Sequence, residues 1–288
     1  MTTVCCSRAE SLLEGACVRR GLTSDWPIVI AVRTIWEHRQ VLRMLVRRDL
    51  QRQYTTFRLG YLWTLLEPLG MAIVLWFVFS VLLGARDFGL SPYLLFIVVG
   101  VLPWWWFLKG IRASTKVLQR ARAELTFSLL PTQVWILRVI ISSGVEFVLS
   151  LPIVVLAMIL TRTIPGPLIL LFPVAIILQF LIMYGIALII APAVALTPDL
   201  GRTVRIVLRA MFYFTPILYT LGRIPEAVQN IAAINPLVGV LGLYRIGWWP
   251  EEAITVSALV ISIASGLVIL LVGLVVFHRL EPRVLKEV

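Results

Sequence analysis

The chain has 288 residues, of which 60% are hydrophobic and 14% charged, with mean hydropathy +0.95 and net charge +11. That balance excludes a soluble domain of this size. Only two histidines and no acidic cluster occur, which speaks against metal chemistry, and the positive charge falls where membrane topology requires it, so no nucleic-acid partner is needed to explain it.

In chain order, residues 1–31 form a mixed polar head. Residues 32–58 predict an amphipathic interface helix, in which Ile35, Leu42, Val46 and Leu50 recur near one face. Arg39, Arg43 and Arg47 follow at i, i+4 and i+8 along the border of that face. Its apolar side suits the acyl boundary of a bilayer, with Arg heads reaching lipid phosphates. Met44 and Arg48 break the stripe, and docking on a partner protein accounts for them equally well.

Six later stretches are apolar over about the 20 residues that a spanning helix needs: about 61–84, 91–110, 134–160, 168–194, 204–222 and 254–277. Each is far longer than a barrel strand. The expected fold is therefore an all-α polytopic membrane protein with a transmembrane domain over 59–277. With the N-terminus inside, all but Arg86, Arg162, Arg223 and Arg245 of the 26 basic residues lie on the inner side. The positive-inside rule then puts both termini in the cytoplasm.

The first span carries Glu67-Pro68, and an ionised carboxylate in the membrane costs on the order of 3 kcal/mol, so Glu67 must face protein, water or a cation. The second ends in Pro103-Trp104-Trp105-Trp106-Phe107, which reads either as an aromatic belt at the inner interface or as ring faces lining a sugar path. Residues 109–133 predict a separate basic intracellular helix ending at Pro131. In the third span Arg138 and Glu146 stand eight residues apart, on different helical faces, and do not pair with each other. Glu146 is either a functional acid or a hydrogen-bonded structural one. The fifth ends in a turn from Tyr213 to Tyr219. After it, two short apolar pieces, 225–234 and 236–246, are split by Asn235-Pro236. Each is half the spanning length, so 225–246 predicts two outer re-entrant helices that cap a cavity. Residues 278–288 are left as a cytoplasmic tail.

No phosphate-binding loop, H-E-x-x-H or G-x-S-x-G motif is present. Energy must come from a partner or an ion gradient. A gradient-driven carrier is disfavoured, because no internal repeat is evident and mid-membrane charge is limited to Glu67 and Glu146.

A set of short motifs resembles the membrane subunits of ABC-2 type polysaccharide exporters, over about residues 41–277 and in the same order. They are Arg48-Asp49-Leu50, Arg58-Leu59-Gly60, Leu62-Trp63 with Pro68, Gly100-x-x-Pro103-Trp104, Thr215-Pro216-Ile217-x-Tyr219, and Asn235-Pro236-Leu237 with Tyr244-Arg245. Leu130-Pro131 stands where that family usually has Phe-Pro. The resemblance implies a non-enzymatic permease in the cytoplasmic membrane, a homodimer with its pore at the dimer interface. It implies two copies of a separate nucleotide-binding subunit that hold ATP and magnesium, and no cofactor in this chain. The implied cargo is a polyprenyl-pyrophosphate-linked polysaccharide, O-antigen or cell-wall galactan, with the excess of Arg over Lys leaning toward galactan; the alternative is a small hydrophobic drug or lipid.

Roles carried over by the resemblance fall on four groups of residues. Arg43, Arg47, Arg120, Arg122, Glu124 and Pro131 would couple to the ATPase. Arg52, Arg58, Leu59 and Gly60 would form the substrate entrance, with Arg58 or Arg52 taking the pyrophosphate, since guanidinium matches phosphate oxygens bidentately. Glu67, Trp104, Trp105, Trp106, Phe107, Glu146, Tyr213 and Tyr219 are candidates to line the path. Pro225, Asn235, Pro236, Tyr244 and Arg245 would form the outer gate.

Overall fold

A computed structural model describes residues 36–55, 60–82, 90–121, 130–220, 222, 235–250 and 256–287. These are helical and contain no strand, as the apolar, non-alternating runs require. In chain order the α-helices are α1 (Arg39–Thr55), α2 (Leu62–Trp76), α3 (Tyr93–Arg120), α4 (Thr132–Ser150), α5 (Pro152–Thr161), α6 (Phe172–Leu196), α7 (Leu200–Phe214), α8 (Pro236–Arg245) and α9 (Val256–Glu287). A π-helical segment, Phe77–Leu82, prolongs α2, and a 3-10 turn, Pro167–Leu171, leads into α6.

The protein is a multi-pass membrane protein. Five helical stretches are long and apolar enough to cross a bilayer: Leu62–Leu82, Tyr93–Arg120, Thr132–Thr161, Pro167–Leu196 and Val256–Glu287. The stretch 204–222, read as one of six spans, holds the greater part of the 15-residue helix α7, which begins earlier, at Leu200, and stops before Thr215-Pro216. Pro216 has no N–H with which to continue the helix.

Helix α3 is the hub. It packs against α2, α4, α5, α6, α7 and α8, and 78% of its most apolar window is buried, against 11% for α2. Helix α6 is apolar on every side, which suits a helix surrounded by protein and lipid. It meets α9 backbone to backbone: a Cβ on Gly273 would lie 2.4 Å from the Gly185 carbonyl oxygen, and one on Gly185 would lie 2.8 Å from Leu270 Cα. Small residues of this kind let membrane helices approach closely. At Leu151-Pro152 the third crossing restarts as α5, since proline cannot donate to the preceding turn but fits the first helical position.

Several boundaries differ from the sequence reading. Residues 109–120 are the uninterrupted continuation of the second crossing and not a separate helix, because no proline or glycine pair breaks the i→i−4 ladder there. Pro131 caps the start of α4, while Arg122 and Glu124 lie outside the described residues. Residues 278–287, read as a tail, continue α9 to Glu287 despite Pro282. Of the two re-entrant pieces, α8 is described; Pro225 and the first piece lie outside the described residues.

The interface helix α1 rests on α4. Leu42, Leu45 and Val46 are buried there, and Arg43, Met44 and Arg47 are exposed. Asp49 accepts a 2.8 Å ion pair from Arg138 of α4, so Arg138 is held by protein and does not reach for lipid.

Candidate substrate groove and its outer clamp

Glu67, Trp105 and Tyr213, which the sequence places on three separate spans, converge where α2 and α7 flank one face of α3. A groove of about 360 Å³ is lined by Glu67 of α2, Trp105, Lys109, Arg112, Lys116 and Arg120 of α3, and Arg205 of α7. Beside it is a second compartment of about 280 Å³, walled by Met71, Leu75, Trp104, Leu208, Arg209, Phe212 and Tyr213 among others. Trp105 and Arg112 line both compartments. The first compartment is thus the basic half of the groove, and the second is the mainly apolar and aromatic half, with Arg112 and Arg209 as its charged wall residues. The spacing explains the basic half, since Trp105, Lys109, Arg112, Lys116 and Arg120 recur every three or four residues and must share one helical face.

A small cavity of about 50 Å³ adjoins the basic half between Thr64, Glu67, Trp105, Trp106, Lys109 and Glu146. Here Glu146 is not isolated. Its carboxylate accepts from Lys109 of α3, and the Gln53 amide of α1, in the orientation its neighbours require, donates to Glu146 Oε1 at 2.7 Å and accepts from Lys109 Nζ at 3.0 Å. The Glu146 side chain is buried, whereas that of Lys109 is 45% exposed toward the groove. The intramembrane acid is therefore matched by a cation, which removes the cost of an unpaired charge.

The remaining aromatic candidates divide. Trp106 and Phe107 are buried inside the subunit; Trp106 stacks on Phe147 at 4.9 Å, and Trp104, which lines the second compartment, is itself buried between Phe107 and Phe212. Tyr213 is 73% exposed. Tyr219 donates to the Tyr213 carbonyl at 2.8 Å, which folds the end of the α7 turn back on itself.

Of the entrance residues, Gly60 has φ 43, a left-handed conformation that favours glycine. Arg58 and Leu59 lie outside the described residues. Arg52 sits on the last turn of α1 and lines neither compartment. Arg43, Arg47 and Arg120 are exposed.

At the opposite end of α3, residues from three of the short motifs form one clamp. Arg245 of α8, read as an outer-loop charge, is only 5% exposed. Its two terminal nitrogens donate to the carbonyls of Pro216 and Ile217, each at 2.7 Å, and its guanidinium lies 3.8 Å from the Phe96 ring centre. Asn235 caps α8 by accepting from Leu237 N at 3.0 Å, and its Nδ2 donates to Thr215 Oγ1 at 2.9 Å, with Pro236 in the first turn. Gly100 leaves room for this, since a Cβ there would meet Arg245 Nη2 at 2.5 Å and the Ile217 oxygen at 2.9 Å. Tyr244 is buried against Phe147 and Phe172.

The arrangement gives a bundle with an amphipathic groove at one end and a closed hydrogen-bonded turn at the other. The ABC-2 type transporter family matches residues 40–248, the region that holds groove and clamp together. The chain belongs to the ABC-2 type transporter family. Among its ABC-2 relatives, the O-antigen export system permease protein RfbA of Myxococcus xanthus is 31% identical over 216 residues, which cover 74% of this chain and 82% of the relative. RfbA of Klebsiella pneumoniae is 26% identical over 244 residues, covering 84% and 93%. The polysialic acid transport protein KpsM of Escherichia coli is 22% identical over 255 residues, covering 84% and 94%. ABC-2 permease relatives of this kind are transport membrane subunits and not enzymes, and the groove offers cations, aromatic faces and one carboxylate, all suited to binding.

Sequence reasoning missed Gln53 and Lys109 as the partners of Glu146. It also passed over the cationic ladder as a lining, although its three-to-four-residue spacing was available.

Proposed function

We propose that this chain is the permease subunit of an ATP-driven exporter that moves a polyprenyl-pyrophosphate-linked polysaccharide outward across the cytoplasmic membrane, with both termini in the cytoplasm. It works as a homodimer with two separate nucleotide-binding subunits, which bind ATP and magnesium. The observation that carries the reading is the amphipathic groove, whose basic half suits phosphate and whose aromatic half suits the CH faces of sugars. Relatives named as O-antigen and polysialic acid exporters support the same class of cargo. The homodimer is supported by the exposed apolar face of α2, including Leu62, Trp63, Leu66, Ile73 and Val74, which flanks the groove.

Arg43 and Arg47, exposed on α1, and Arg120 at the basic end of α3 are the surfaces for the ATPase. Arg122, Glu124 and Pro131 follow in the same connection. The clamp around Asn235 and Arg245 serves as the outer gate. Depletion of the chain tests the whole reading. Lipid-linked polysaccharide should accumulate inside depleted cells and return to the surface on complementation. Normal surface polymer in depleted cells overturns it, and the polymer that accumulates decides between O-antigen and cell-wall galactan.

A further inference from the structure

Resting on the exporter reading, we infer that a lipid-borne diphosphate is seated in the basic half of the groove, held by Arg112 and Lys116 of α3 and Arg205 of α7, and not by Arg52. The first argument is charge. Lys109 is committed to Glu146, but Arg112, Lys116, Arg120 and Arg205 have no ion pair among the described residues. They converge with Glu67 as the one carboxylate in the lining. Although exposed, these like charges gathered along one cleft repel one another and add to a local positive field, and an anion relieves the repulsion.

The second argument is spacing. Arg112, Lys116 and Arg120 stand four residues apart, about 6 Å along the helix axis per step. Two neighbouring cations therefore reach the two ends of a diphosphate, while a single phosphate engages one of them well. Arg205 faces them from α7, so the anion is approached from two helices, with guanidinium groups that bind phosphate oxygens bidentately.

The third argument is continuity. The basic half adjoins the compartment of Met71, Leu75, Phe212 and Tyr213, since Trp105, Leu108 and Arg112 belong to both. A free anion has no use for that adjoining wall. A phosphate esterified to a lipid, with sugars on its far side, uses both halves at once. Arg52 lines neither half.

The test is equilibrium binding of radiolabelled undecaprenyl diphosphate to the full-length chain, co-purified with its ATPase subunits, in nanodiscs of zwitterionic lipid. The Arg112→Gln/Lys116→Gln variant should bind about a hundredfold more weakly, the effect of losing two charge-assisted contacts. The charge-conserving Arg112→Lys/Lys116→Arg variant should stay within about threefold of the wild type, which separates loss of charge from loss of fold. Undecaprenol should bind at least about tenfold more weakly than the diphosphate, and Arg52→Gln should change nothing.

Unchanged binding by the double Gln variant overturns the assignment, as does a loss confined to Arg52→Gln. Displacement of the lipid by equimolar inorganic pyrophosphate, or by phosphatidylglycerol added to the disc, also overturns it, by making the site one for free anions or for bulk lipid. Failure here is separable from failure of the exporter reading. Depleted cells that still export overturn that reading; cells that need the chain, but whose export and lipid binding are restored by the double Gln variant, overturn only this seat.

Discussion

The two ends of α3 treat arginine in opposite ways. Near Gly100, Arg245 is sealed from solvent and each terminal nitrogen has a carbonyl acceptor. Near Trp105 and beyond, Arg112, Lys116, Arg120 and Arg205 face an open groove with no ion pair among the described residues. Burial with both terminal nitrogens bonded to carbonyls makes the side chain structural, since removing it strands those partners; exposure without an ion pair leaves a cation free to bind something else.

Substitutions at each end can break or sharpen that contrast. The largest effect belongs to Arg245→Ala, which leaves the Pro216 and Ile217 carbonyls without donors and opens a cavity beside Phe96. We expect a loss of about 3 kcal/mol or more, seen as a fall of roughly 6–12 °C in the unfolding midpoint of detergent-purified protein. A smaller loss follows Gly100→Ala, whose methyl group would press on Arg245 Nη2 and the Ile217 oxygen. Overpacking of this kind costs about 1–3 kcal/mol, and a midpoint equal to that of the wild type means the turn is looser than described. The smallest is Arg112→Gln, which should alter stability by less than about 0.5 kcal/mol while changing ligand binding. A large destabilisation there erases the distinction between the two ends.

Much of the fold was legible because membrane helices declare themselves by length and apolarity. The short motifs around Gly100, Thr215 and Asn235 were visible too, yet nothing in their spacing said that they meet. Arg245 shows why. An arginine after an apolar run and before Trp248-Trp249 looks like an interfacial charge, and only the tertiary structure supplies acceptors 28 and 29 residues upstream. Glu146 repeats the lesson. It was recognised as an acid needing company, but its partners Lys109 and Gln53 come from other helices, and sequence distance carries no information about that pairing. The candidate site fared unevenly for the same reason: Glu67, Trp105 and Tyr213 reach the groove, whereas Trp106 and Phe107, identical in hydropathy to groove residues, turn into the core. The fifth apolar run was legible in position, but its helix stops at Phe214, because Pro216 cannot donate to the preceding turn.

Pro103 lies on α3 between Gly100 and Trp105, and Gln179 of α6 donates to its carbonyl at 2.8 Å. That carbonyl therefore has an acceptor role outside its own helix, between the clamp residues Phe96 and Gly100 on one side and Trp105 to Arg120 on the other. Because α3 is one unbroken helix from Tyr93 to Arg120, about 42 Å long, the groove and the clamp are built on a single rigid rod, and neither can be repositioned without straining the contacts of the other.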